Sequence, residues 1–244
     1  MEAWFIANGL KLNVAKTKII KFSLRSNKDQ GSVDLPNTTG SHKFLGVHLD
    51  DRINWKAHLD FLQQKLKSIC FAFMQLRDCV SFDVMKIVYH GYVESILRYG
   101  IVLWGLASGV KSVFRLQKRI IHAITKTHPR SSCRNHFKDL KILTLSGLHI
   151  YEILSWTHCN KHNFPERSKF QHHYNTRQSN LFRLQHHRTN LFAKSPQYLG
   201  LKLYNTLPNY YKILGEQKFR EEVKILLTNN VFYSIDEFFK HKFS

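Results

Sequence analysis

From Trp55 to Leu76 the apolar residues Trp55, Leu59, Leu62, Leu66, Ile69, Phe73 and Leu76 follow one another at spacings that alternate between four and three. That alternation is the period of an α-helix, so the stretch must form one helix with a single apolar face. Such a face has to be covered by neighbouring elements. Lys56, Gln63, Lys65 and Lys67 fall off the stripe, and Asn54 stands where its side chain can cap the first turn. Two more helices are expected to supply the cover. One starts at Ser81 or Asp83, turns Val84, Val88, Tyr92, Ile96 and Tyr99 inward, and ends at Gly100 or Gly105. The other runs from about Lys111 to Lys126 with Val113, Leu116, Ile120 and Ile124 on one side. Three amphipathic helices in succession predict a small bundle.

The flanks differ from this centre. Before the stripe, a short helix through Trp4 and Ile6 and a turn at Asn8-Gly9 lead to Lys18–Phe22, a β-branched run expected to be a strand. A polar loop from Ser26 to Ser41 then leads to a second strand candidate, Lys43–Leu49. Two strands are marginal in water and need cover. After Pro129, shorter helices are expected from Cys133 to Leu140 and through Leu148, Tyr151 and Leu154, with a last one from Gln217 to Leu227. Residues 160–200 concentrate His, Arg, Asn, Gln and Ser without periodicity and predict an extended basic connection. The fold class that follows is α+β, mainly α.

With 37 Lys+Arg against 17 Asp+Glu the chain carries +20, enough to attract polyanions over a distance. Eighteen phenylalanines and a hydrophobic fraction of 43% require a packed core. No apolar run approaches the roughly 20 residues of a spanning helix, and the first residues lack a secretory pattern, so the expected setting is intracellular, cytoplasmic or nuclear, with no membrane partner. Cys70, Cys79, Cys133 and Cys159 are too scattered for a disulfide framework and are expected to be small buried thiols.

The third helix carries Lys111, Arg115, Lys118, Arg119, His122 and Lys126 at helical spacing, opposite its apolar side, with no acid among them. A solvated face normally mixes signs, so this one predicts contact with phosphates. Arg177, Arg183 and Arg188, interleaved with Tyr174, Phe182 and Phe192, form a second candidate for gripping and stacking on RNA. His158, Cys159 and His162, with His172-His173 and His186-His187, lack the paired spacing of a zinc site, and neither metal nor cofactor is expected.

Several segments together resemble the reverse transcriptase of non-LTR, LINE-type retrotransposons, in particular the arthropod jockey and CR1-like group. Trp4, Asn8, Leu10, Leu12, Asn13, Lys16 and Thr17 match its W-x3-N-x-L-x-L-N-x2-K-T pattern. Lys43-Phe44-Leu45-Gly46-Val47, with Leu49-Asp50, Trp55 and His58, resembles its primer-grip hairpin. Tyr99-Gly100-Ile101, Trp104-Gly105, Gln117-Lys118-Arg119 and Lys141-Ile142-Leu143 resemble its thumb and post-thumb signatures. Tyr174-Asn175-Thr176-Arg177, Tyr204-Asn205, Leu207-Pro208 and the helix around Phe219 resemble its C-terminal part.

The resemblance implies a palm-edge β-hairpin remnant over residues 1–54, a helical thumb over 55–128 and a helical, basic C-terminal region over 129–244. It implies primer-grip-like roles for Phe44, Leu45 and Gly46, and a partner that is an RNA–DNA hybrid or RNA. The family's polymerase carboxylates have no counterpart here: no Tyr/Phe-x-Asp-Asp occurs, and Asp50-Asp51 is expected to make a turn and cap. Lys16 then has no triphosphate chemistry to serve. The expectation is a C-terminal fragment that holds nucleic acid and is not an enzyme. The alternatives are a stand-alone nucleic-acid-binding protein retained by a host, and a translated relic without function.

Overall fold

A computed structural model describes residues 2–13, 16–22, 39–164 and 181–243. The chain divides into two compact units, Met1–Leu62 with Ala107–Gly109, and Gln63–Leu106 with Val110–Ser244. The architecture is mainly helical, with one small antiparallel hairpin.

In the first unit, α1 spans Glu2–Ala7. Strands β1 (Ser41–Phe44) and β2 (Val47–Asp50) pair so that Phe44 faces Val47 and Ser41 faces Asp50. The run expected to be one strand, Lys43–Leu49, is therefore folded in two. Leu45 (φ 46°) and Gly46 (φ 83°) both adopt the left-handed conformation, which two-residue hairpin turns require because it matches the strand twist. Glycine takes that conformation freely, while Leu45 accepts a cost of about 1 kcal/mol and leaves its side chain 75% exposed. The other expected strand, Lys18–Phe22, is reduced to a single bridging residue, Ile19, whose carbonyl accepts from the Thr39 amide at 3.0 Å.

The exit from the hairpin is built as a turn. One carboxylate oxygen of buried Asp50 accepts from the Asn54 amide at 2.8 Å, and Asn54 Oδ1 accepts from the Lys56 amide at 2.9 Å. Asp50 and Asn54 thus have the turn-making and capping roles expected of them. Helix α2 (Lys56–Leu76) follows, and its stripe is buried at Leu59, Leu62, Leu66, Ile69 and Phe73, while Leu76 at its end is exposed.

In the second unit, α3 (Phe82–Val88) begins at a Ser81 cap and passes through a π-helical turn, Tyr89–Glu94, into α4 (Ser95–Arg98). Gly100, at φ 65°, stops it and turns the chain into α5 (Ile101–Trp104). Here the expected inward face is wrong. Val84, Val88, Tyr92 and Tyr99 are exposed, and Met85, Tyr89, Val93 and Leu97, one position on, are buried. The segment is apolar on two adjacent faces at the same spacing, so periodicity alone does not choose between them. A buried amide helps fix the choice: Gln117 Nε2 donates to Tyr89 Oη (2.8 Å) and to the Leu143 carbonyl (3.0 Å), and its Oε1 accepts from the Leu145 amide (2.9 Å).

Gln117 lies on α6 (Val110–Thr125), which buries Val113, Leu116, Ile120 and Ile124 as expected. Helix α7 (Arg134–Leu140) leads to α8 (Leu145–Cys159), capped by Thr144. Helix α8 buries residues around its whole girth, as a central helix should, and packs against α4 and α5 and against elements still to come in the chain.

Those elements correct the reading of residues 160–200. Within the described part of that stretch, α9 (Asn190–Ala193) and α10 (Pro196–Thr206) are helical. Pro196 and Gly200 obscured α10 in the sequence. Proline serves at the first turn, where its missing amide costs nothing. Gly200 lets α10 approach α8, because a Cβ there would lie 2.2 Å from Thr157 Oγ1. Helices α11 (Asn209–Lys212), α12 (Glu216–Asn229) and α13 (Ile235–Lys240) complete the unit, α12 also packing on α8. The approach to α13 is pinned by Ser146 Oγ, which donates to the Tyr233 carbonyl (2.9 Å), and by Arg134, which donates to the Val231 carbonyl (3.0 Å) and pairs with Glu237. The cysteines are free; Cys70 and Cys133 are buried, but Cys79 is exposed and Cys159 half-buried, contrary to the expectation of uniformly buried thiols.

Candidate nucleic-acid interface

The apolar side of α6 is anchored in the core, and part of its opposite side faces outward. Lys111, Arg115 and Arg119 are exposed there, and none makes an ion pair among the described residues. Lys118 is half-buried. Its Nζ sits 5.0 Å from the Phe114 ring centre and 5.6 Å from that of Tyr233, so two π-faces hold the charge.

Two members expected in this stripe do not belong to it. His122 is buried, with Nδ1 2.9 Å from Thr127 Oγ1 and Nε2 3.3 Å from Cys133 Sγ. Burial above all, then His136, Lys118 and His128, lowers its pKa, so it is a neutral packing residue. Lys126 lies past the end of α6 at φ 51°, and its Nζ pairs with Asp78 Oδ1 at 3.1 Å. The expectation that no acid opposes the stripe therefore fails at this position. The helix ends at Thr125, and the change of direction hands Lys126 to a neighbour the sequence places far away.

A residue not singled out in the sequence takes their place. The turn that follows α6 brings Arg130 to a pocket of about 450 Å³ that is also lined by Arg115, Lys118 and Arg119, with Ser131, Ser132 and Tyr233. The run Pro129-Arg130-Ser131-Ser132, a cation and two hydroxyls directly after a basic helix, was the available signal. Tyr233 gave none, lying about a hundred residues further on.

Comparison with protein-family models, with curated proteins and with solved structures finds no match to this chain. The chemistry of the face rests on its own side chains.

The second basic candidate is less coherent. Arg177 and Tyr174 lie outside the described residues. Arg183 and Arg188 are exposed on the irregular segment 181–189. Phe182 is buried against Tyr204 (5.4 Å) and Phe164 (6.0 Å), with Asn205 bonding both its amide and its carbonyl at 2.9 Å, so it has no face left for a base. Phe192 packs beside His187 and Tyr198. His158 is buried between Tyr204 Oη and the Leu214 carbonyl, each 3.0 Å away, and stacks on Phe219 at 3.9 Å. Among the described residues no three metal-ligating side chains converge. In the first unit, Phe44, Leu45 and Gly46 form the tip of the hairpin, with Phe44 59% exposed.

Proposed function

We propose that this chain grips the sugar–phosphate backbone of nucleic acid with the outer face of α6 and the turn behind it. In this reading it corresponds to the duplex-holding thumb of the LINE-type reverse transcriptases that its sequence resembles, without their catalytic carboxylates. The observation that carries the reading is the exposed, acid-free set Lys111, Arg115 and Arg119, the two arginines meeting Arg130 at one pocket. Arginine's planar fork suits phosphate oxygens and stays charged at any physiological pH. Asp50 fits the same reading, because its carboxylate holds the turn into α2 and is buried rather than open to a metal-bound triphosphate.

Contacts of this kind position a duplex and do not read its sequence. Four arginines and lysines touching phosphates give a slope of log affinity against log salt of about −3.6, since each neutralised phosphate of a B-form duplex contributes about 0.9. Titrating an RNA–DNA hybrid at several salt concentrations measures it. Arg115→Ala with Arg119→Ala removes two contacts and should flatten the slope by about two units, equally for unrelated sequences. The fold should survive, because alanine is the best helix former and both side chains are exposed. An unchanged slope would make the face a merely solvated one.

A further inference from the structure

The pocket behind α6 has more donors than an internal backbone phosphate can use. Arg115, Lys118 and Arg119 line one side, and Arg130 with the Ser132 hydroxyl comes from the turn, the Ser131 hydroxyl donating instead to the His128 carbonyl at 2.7 Å. Arg115, Arg119 and Arg130 make no ion pair among the described residues. Tyr233 adds a second hydroxyl, and its Oη is buried without any hydrogen-bond partner. A buried hydroxyl normally finds one, so this oxygen marks a place where an acceptor is missing. Its ring is held in position by Lys118 at 5.6 Å and by the Arg134 guanidinium at 4.4 Å. His122 and Cys133, which also line the pocket, are uncharged, burial pushing the Cys133 thiol up to about 11. The positive charge is therefore supplied by the lysine and arginines.

A phosphodiester within a strand offers one negative charge and two free oxygens, and its ester arms must both leave the site. A phosphomonoester offers a charge of about −1.5 to −2 and three free oxygens on a single arm. Four cationic side chains and two hydroxyls match the second group. A volume of about 450 Å³ also exceeds what a phosphate alone requires and lies in the range of small-ligand sites. We propose that this pocket binds the phosphomonoester of a nucleotide, presented at the end of a strand whose backbone continues along Arg115 and Lys111. This rests on the backbone-binding reading and adds recognition of the phosphorylated end.

The test uses the full chain and three labelled oligonucleotides of one sequence, carrying a 5′-phosphate, a 3′-phosphate or hydroxyls at both ends. One phosphorylated form should bind about tenfold more tightly than the hydroxyl form, the scale of one added charge-assisted contact. Arg130→Ala should abolish that preference, weakening the phosphorylated form about tenfold more than the hydroxyl form, with circular dichroism unchanged. A nucleoside monophosphate at millimolar concentration should displace the preferred oligonucleotide more readily than the hydroxyl form. Equal affinity for all three oligonucleotides, with the salt slope intact, would overturn the end-binding pocket and leave backbone binding standing. Absence of binding to any of them would overturn both. Equal oligonucleotide affinities together with saturable, Arg130-dependent binding of the free nucleoside monophosphate would reject strand ends and assign the pocket to a free nucleotide.

Discussion

Three valines on one continuous helical segment allow the buried face of α3 and the π-helical turn to be tested by a single kind of substitution. Val93 is fully buried, Val88 is 36% exposed and Val84 44% exposed. Valine to alanine removes two methyl groups. At Val93 the lost transfer free energy is about 1.6 kcal/mol, and the cavity left among immobile neighbours brings the loss to about 2.5 kcal/mol. At Val84 about half of that burial is lost, and alanine's better helix propensity returns roughly 0.5 kcal/mol, so the change should cost less than about 0.5 kcal/mol. Val88→Ala should fall between them, at about 0.5 kcal/mol. Urea denaturation followed by circular dichroism reads these differences as midpoint shifts. Val93→Ala should move the midpoint down by about 1 M at unchanged slope. If Val84→Ala or Val88→Ala costs as much as Val93→Ala, the buried face is the one expected from the sequence, and the packing around Gln117 is wrong.

Gly200→Ala should destabilise by about 1–3 kcal/mol, measured in the same way, because its Cβ would lie 2.2 Å from Thr157 Oγ1, which already donates to the Ile153 carbonyl. Burial of His149 lowers its pKa to about 4, so the unfolded chain binds its proton more readily than the folded one. This histidine's contribution is then fully present above pH 6.5 and lost as pH falls from 6.5 towards 4, costing about 1 kcal/mol between pH 7 and 5.5. The difference in unfolding free energy between those two pH values, read from urea denaturation, should shrink by that amount in His149→Gln; an unchanged difference would mean that His149 is not held neutral. Brief alkylation of the native protein followed by mass spectrometry should label Cys79 well before Cys70 and Cys133, which are buried; equal rates for all three would contradict that burial.

The elements with a single strong periodicity were legible in the sequence. The α2 stripe and the apolar side of α6 are buried as their spacing requires, and α7, α8 and α12 lie where they were expected. The failures share a physical cause, which is that a tertiary neighbour made the decision. Val84 and Met85 head equally plausible faces until Gln117 reaches Tyr89. Leu45-Gly46 lies inside a run of strand-forming residues, and only the pairing of Phe44 with Val47 makes it a turn. Helix α10 carries a proline and a glycine that count against a helix locally, yet one suits its first turn and the other its crossing with α8.

The same cause governs the cationic face. Helical spacing places Lys111, Arg115, Lys118, Arg119, His122 and Lys126 near one side of a cylinder, but it says nothing about which of them meets solvent. His122 sits where the 129–133 segment returns over the helix, and Cys133 Sγ and Thr127 Oγ1 take up its ring nitrogens. A charged imidazolium there would have to be desolvated, so the buried site is better served by the neutral ring. Lys126 stands beyond the last helical turn, where Asp78 neutralises it. Their departure narrows the candidate grip rather than removing it. The segment that covers His122 is the one that delivers Arg130, so the packing that withdraws a histidine from solvent brings a guanidinium to the same pocket. Guanidinium does not lose its proton, and the charge offered to a phosphate there is more permanent than the imidazole it replaces.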